Sequence, residues 1–177
     1  GSSVIRGWRA SDGLFINQGS CSLFGENAGG GVWINEKDVS GSMGVDSSGG
    51  IWLNFGKIYG MEIYDYQEAH GWFGTGSFNG VWINYSEAEE MGCECMDGVF
   101  IERGKGVGRF LEHNYAMEAQ RHPYGVTPDE VKSDAVLKAL TDGIAKSSLE
   151  RDKNQICDLA RKVDEHVRAN YQRRKVA

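Results

Sequence analysis

Gly31-Val32-Trp33-Ile34-Asn35 returns as Gly50-Ile51-Trp52-Leu53-Asn54 and again as Gly80-Val81-Trp82-Ile83-Asn84. Looser copies stand at Gly13-Leu14-Phe15-Ile16-Asn17 and Gly98-Val99-Phe100-Ile101-Glu102. Six positions before each copy lies another glycine, at 7, 25, 44, 74 and 92, so the period is 18 or 19 residues with one longer interval after Gly44. A fixed period of this size is the signature of a solenoid. It holds one turn of a parallel β-helix, with short strands, tight bends, and coils rising by roughly 4.8 Å so that equivalent residues stack.

Stacking turns the alignment into columns. The residue three before the second glycine is always small (Ala10, Ala28, Ser47, Ser77, Cys95), as expected where a strand runs close to the axis. Leu14, Val32, Ile51, Val81 and Val99 share a strand face with Ile16, Ile34, Leu53, Ile83 and Ile101, because side chains two apart point the same way. These columns are expected to fill the interior. The residue between them, Phe15, Trp33, Trp52, Trp82 or Phe100, then points outward, and so much apolar surface calls for a cover or a ligand. Asn17, Asn35, Asn54 and Asn84 would form an amide ladder at the bend, each bonding its neighbours. Glu102 ends that ladder, which places the last coil there. The long interval, 55–73, carries Tyr59, Tyr64, Tyr66, His70 and Trp72 and reads as an insertion of about a dozen residues; binding surfaces are commonly built on such insertions.

The stretch from Gly80-Val81-Trp82-Ile83-Asn84 through Ala88, Gly92 and Met96 to Gly98-Val99-Phe100-Ile101 and Gly104 resembles a repeat of the GXGXG β-helix domain. That domain is known from the C-terminal part of the glutamate synthase large subunit and from one of the subunits of formylmethanofuran dehydrogenase. The resemblance covers about Gly7 to Gly104. It implies a right-handed β-helix with an architectural role and no catalytic residue. This chain departs from the pattern by lacking a regular Asn/Asp-Ala-Gly turn and by using tryptophan. A left-handed hexapeptide coil, as in acyltransferases, stays open, since Met43-Gly44 to Ser47 and Phe73-Gly74 to Ser77 fit its apolar-glycine-x-x-small frame.

Past Gly104 to Gly108 the composition turns charged and helical, which divides the chain into a repeat domain, 4–110, and a tail, 111–177. Residues 109–121 read as a short helix stopped before Pro123. Thr127-Pro128-Asp129-Glu130 is a strong helix start, with a capping threonine, proline in the first turn and glutamate three residues on. Val131, Ala135, Leu140 and Ile144 recur on one face. Ser147 with Glu150 repeats the box and opens a second helix, striped by Leu149, Ile156, Ala160, Val163, Val167 and Tyr171. Those stripes are expected to lie on the aromatic row or against a second chain.

The 177 residues suffice for one domain with an appendage. With 25 glycines but 2 prolines the chain is rich in tight turns rather than disordered. A net charge of −6 gives no broad footprint for nucleic acid or an anionic membrane. The sequence has no apolar run long enough to span a bilayer and shows no export leader, so it reads as soluble and cytoplasmic. Gly1-Ser2-Ser3 looks like a cloning remnant, with a natural start expected upstream. Four cysteines, Cys21, Cys93, Cys95 and Cys157, lack the spacing of a disulfide framework.

Candidate chemistry is thin. Cys93-Glu94-Cys95 puts two thiols on one strand face, which Cys21 or a histidine would have to complete for zinc, but one-residue spacing is not a usual zinc pair and Cys95 already fills the small column. His113, His122 and His70 are candidate acid-base groups with no paired nucleophile. Gly104-Lys105-Gly106-Val107-Gly108 is too short for a phosphate loop and reads as the solenoid's exit. Arg168, Arg173, Arg174 and Lys175 suit a helix C-terminus. No catalytic residue, metal site or cofactor is assigned. The binding surface is assigned to Trp33, Trp52, Trp82, Tyr64, Tyr66, His70 and Trp72.

The chain therefore reads as mainly β, a short single-stranded parallel β-helix of about five coils followed by an α-helical tail. The favoured function is a non-enzymatic assembly protein, because a solenoid has open ends that need caps or partners. Its partner would be another protein or a second copy, not nucleic acid or a membrane. The tail is expected to cap one end; the end near Val4 shows no cap. The alternatives are a hexapeptide-type acyltransferase with His70 as base, and a carbohydrate-binding module using exposed tryptophans.

Overall fold

A computed structural model describes residues 4–60, 71–104, 106–112, 123–148 and 150–174. Five repeats become five coils, each contributing one strand to each of two parallel sheets, and the segment after the repeats adds a sixth strand to each. One sheet holds β1 (Ile5–Arg6), β3 (Cys21–Phe24), β5 (Val39–Met43), β7 (Trp72–Phe73), β9 (Glu87–Met91) and β11 (Gly106–Phe110), in that order. The other holds β2 (Leu14–Asn17), β4 (Val32–Asn35), β6 (Ile51–Asn54), β8 (Val81–Asn84), β10 (Val99–Glu102) and β12 (Tyr124–Val126). The register pairs Trp33 with Trp52, Trp52 with Trp82, and Trp82 with Phe100, so the repeated phrases stack rung on rung. Single bridges at Ser11, Gly29, Ser48 and Phe78 mark the corner between the sheets.

The assignment of faces is the reverse of that expected. Trp33, Trp52, Trp82 and Phe100 point into the coil, fully buried against Phe24, Met43, Phe73 and Met91 of the other sheet. Neighbouring indoles stack 4.8 and 4.6 Å apart with planes within 5° of parallel, a spacing that is the coil rise itself. Each buried indole N–H donates to the carbonyl three residues earlier: Trp33 to Gly30 at 2.8 Å, Trp52 to Gly49 at 2.8 Å, Trp82 to Asn79 at 3.0 Å. The first glycine of the repeat exists for these rings. At Gly44, with φ of 68°, a Cβ would lie 2.5 Å from the Trp82 ring.

The aliphatic columns face outward and are covered by the tail. Val32, Ile34, Leu53, Val81, Ile83, Val99 and Ile101 share one buried cluster with Val131, Leu137 and Ile144 and with Ile156, Ala160, Val163 and Val167. This second sheet is thus buried on both faces, as parallel sheets generally are. The helices are α1 (Pro128–Ser133), α2 (Ala135–Lys146) and α3 (Lys153–Asn170). The expected capping box at Thr127 is present, with the Glu130 carboxylate accepting from the Thr127 N–H at 2.9 Å.

Three expectations about the tail change. Arg109 and Phe110 belong to β11 rather than to a helix, because the glycine-rich exit Gly106-Val107-Gly108 pairs in parallel with β9 as part of another coil. The last helix begins at Lys153 behind Asp152, later than the Ser147 box suggested; Asp152 instead accepts from the Ser148 N–H at 2.7 Å. β12 comes from the tail and adds a rung, Tyr124-Gly125-Val126 on Val99-Phe100-Ile101, so the sheet crosses the boundary expected at residue 110.

Asp134 ties the tail together. Partial burial opposes its charge, yet the Leu137 N–H (2.9 Å), His166 (2.7 Å) and the Tyr171 hydroxyl (2.9 Å) hold its carboxyl down to about 2. Among the described residues no helix is long and apolar enough to cross a membrane.

Candidate functional site

Burial removes the tryptophans from consideration as a binding row. Trp33, Trp52 and Trp82 have no exposed surface, so the carbohydrate-binding alternative loses the side chains it rested on. Tyr64, Tyr66, His70, His113 and His122 lie outside the described residues. Trp72 sits half-buried on β7.

The cysteines serve the fold. Cys95 closes a column with Ser47 and Ser77, each donating inward to a glycine carbonyl of an earlier coil: Ser47 to Gly25 at 2.8 Å, Ser77 to Gly44 at 2.6 Å, Cys95 to Gly74 at 2.8 Å. The small column is therefore also a donor column. Burial raises the thiols of Cys21, Cys93 and Cys95 and keeps them protonated, a poor state for ligating metal. Among the described residues no group of histidine, cysteine or carboxylate side chains is placed to hold a metal ion. A cleft of about 530 Å³ beside Glu102 is rimmed by Thr127 and Lys132, but its carboxylate is already engaged by the amide ladder. The basic C-terminus is likewise paired internally: Arg168 with Asp164 at 2.9 Å and Arg174 with Glu130.

The two ends of the sheet that carries the ladder differ, whereas β1 and β11 are both terminal strands of the other sheet. The ladder forms as expected. Asn17 Nδ2 donates to Asn35 at 2.8 Å, Asn35 to Asn54 at 2.8 Å, Asn54 to Asn84 at 2.7 Å, and Asn84 to Glu102 at 2.9 Å. At the far end Glu102 closes it, one carboxylate oxygen taking the Asn84 amide and the other the Gly104 N–H. The outer edge of β12 is closed as well. Arg174 occupies it in place of a strand, with its N–H on the Pro123 carbonyl (3.2 Å) and its Nε on the Gly125 carbonyl (2.6 Å).

The first coil has no such closure among the described residues. β1 and β2 are the terminal strands of their sheets. Val32 N–H bonds the Gly13 carbonyl and Glu36 N–H the Asn17 carbonyl, so by alternation Leu14 and Ile16 present their backbone groups to the open side. Val4, Ile5 and Trp8 are 41, 54 and 56 % exposed, and the Arg9 guanidinium lies 4.5 Å over the Trp8 ring. Leu14, Phe15 and Ile16 are only half-buried, where their equivalents one coil on are fully buried. Phe15 stacks on Trp33 at 4.0 Å, and its other face lies toward the open end. Asn17 is fully buried, yet its Oδ1 has no donor.

Sequence reasoning did not single out Ile5 and Trp8, because they lie outside the repeated phrase. The signal available was that Trp8 is an extra aromatic matched by no column. No protein-family model, curated protein or solved structure matches this chain.

Proposed function

We propose that the chain is a non-enzymatic assembly module that docks through exposed strand edges of its solenoid. The observation that carries this reading is that β1, β2 and β11 are terminal strands with no further strand beside them among the described residues, and that Val4, Ile5 and Trp8 at or next to β1 are exposed. Open strand edges with apolar neighbours are templates for another strand, and solenoids require caps or partners at their ends. An architectural role is also what the resemblance to the GXGXG domain implies. On this reading the interior aromatic stack and the helical cover make a rigid body, and exposed strand edges do the binding.

The test is light scattering of the parent chain and of Ile5→Lys/Trp8→Lys, two substitutions at exposed positions that leave the core intact. The parent is expected to associate weakly and reversibly as concentration rises, and the double variant to stay monomeric. A parent that is monomeric throughout, with Trp8 shielded from a soluble quencher, would show a closed first coil and refute the proposal.

A further inference from the structure

The corner before β8 is an asparagine followed by a glycine, Asn79-Gly80. The side-chain Cγ of an asparagine can be attacked by the backbone nitrogen of the next residue, and glycine, with no Cβ, obstructs that attack least. Asn79 is exposed, and among the described residues its side chain makes no hydrogen bond and the Gly80 N–H has no acceptor. The other described asparagines differ. Asn27 is exposed with a similar left-handed backbone, φ of 53° against 58° at Asn79, but the next N–H, of Ala28, is buried and donates to Ser47 Oγ at 3.0 Å. Asn154 and Asn170 lie in α3 and are followed by Gln155 and Tyr171, each with a Cβ beside the attacking nitrogen. Asn17, Asn35, Asn54 and Asn84 are sealed in the ladder.

Geometry is the remaining requirement. A left-handed φ is unfavourable for a residue with a side chain, so Asn79 gains by leaving that region. One coil on, Asp97 stands at the same corner outside the left-handed region, and its Oδ1 accepts from the next N–H, of Gly98, at 2.8 Å. The corner thus admits a second backbone conformation, in which the side-chain carboxyl group lies against the following nitrogen.

We propose that Asn79 is a site of spontaneous modification, where the Gly80 nitrogen displaces ammonia from the side chain and water then opens the ring that forms. In the first step the Gly80 nitrogen gives up its proton and bonds Asn79 Cγ. The Cγ–Nδ2 bond breaks, and Nδ2 leaves as ammonia with that proton, closing a succinimide. One water then adds to either ring carbonyl and cleaves its bond to the Gly80 nitrogen. Cleavage at Cγ leaves an aspartyl residue at position 79; cleavage at the backbone carbonyl leaves an isoaspartyl residue, whose main chain runs through Cγ. The aspartyl product fits the corner, since Asp12 and Asp97 already occupy it in other coils. The isoaspartyl product lengthens the main chain where the Asn79 N–H bonds the Asp97 carbonyl and the Asn79 carbonyl takes the Trp82 indole N–H, each at 3.0 Å. It therefore loosens a rung of the interior stack.

The experiment is incubation of the full folded chain in heavy-oxygen water at mildly alkaline pH, followed by peptide mapping with mass spectrometry; each ring opening leaves one heavy oxygen at the residue that reacted. Label is expected at position 79 about fivefold or more faster than at Asn27, the factor for an amide that need not first break a hydrogen bond. Asn79→Gln, whose longer side chain closes a larger and slower ring, should stay unlabelled there. The isoaspartyl fraction should unfold at lower urea concentration than the parent, and Asn79→Asp should unfold with the parent. Label at position 79 only when the chain is unfolded in urea would mean that the left-handed turn locks the site, and would overturn the proposal. Labelling of Asn27, Asn154 or Asn170 as fast as Asn79 overturns it too. An isoaspartyl fraction as stable as the parent overturns the coupling to the Trp82 rung.

Discussion

Replacing Asn54 by leucine tests the ladder where it is fully engaged. Asn54 accepts from Asn35 at 2.8 Å and donates to Asn84 at 2.7 Å, and all three side chains are fully buried. Leucine keeps the branch point but its methyls cannot sit at hydrogen-bond distance, so Asn35 Nδ2 loses its acceptor and Asn84 Oδ1 keeps only the Ser86 N–H at 3.4 Å. A buried polar group left without a partner costs about 1–3 kcal/mol, so Asn54→Leu should cost about 2–6 kcal/mol. The same substitution at Asn17 has a different sum. It orphans Asn35 Oδ1 but removes the Oδ1 that was already orphaned, so the ladder only shortens by one rung and the net cost should stay within about 1 kcal/mol. Urea unfolding followed by tryptophan fluorescence and by circular dichroism reads both, as a shift in midpoint at constant slope. Asn54→Leu within about 0.5 kcal/mol of the parent, or Asn17→Leu as costly as Asn54→Leu, would refute a directional ladder ending in an unmet acceptor.

Three further outcomes follow from the same contacts. Trp52→Ala removes a ring stacked on both faces and should cost about 3–5 kcal/mol in thermal or urea unfolding, whereas Trp8→Ala should be near neutral. Burial raises the Glu102 carboxyl from an ordinary 4.5 to about 7 against the opposing bonds from Asn84 and Gly104. The native state therefore holds its proton longer than the unfolded chain, so stability should fall by about 3 kcal/mol as pH rises from about 4.5 to 7 and level off above, a slope that Glu102→Gln removes. Arg174→Ala withdraws the donor from the Gly125 carbonyl and should speed amide exchange across Tyr124–Val126 while leaving Val32–Asn35 unchanged.

The sequence made the solenoid legible because period and register go together: asparagine follows three apolar residues in four of the five copies, and aligning those phrases sets the stacking register. The ladder and the Thr127 helix start followed from local chemistry alone. Which face is inside did not follow. Alternation separates Trp33 from Val32 and Ile34, but with both faces apolar it cannot rank them, and the decisive facts are tertiary. Flat rings tile the axis at the coil spacing, the glycines at 7, 25 and 44 clear space for them, and the helices bring aliphatic stripes to meet the aliphatic columns. The glycines carried that information, since a turn need alone does not explain why ring-sized room recurs beside every tryptophan. β12 was hidden for a related reason. Tyr124-Gly125-Val126 carries no repeat phrase, and its strand character comes from docking on Val99–Ile101 and from Arg174. The donor role of Ser47, Ser77 and Cys95 was masked because smallness already accounted for the column.

Amide hydrogen exchange resolved to single residues tests the open first coil most directly. The N–H groups of Leu14 and Ile16 should exchange rapidly in the dilute chain while those of Val32 and Ile34, one rung on, are strongly protected. Equal protection at Leu14, Ile16, Val32 and Ile34 would mean the end is already closed, and the docking surface would not exist.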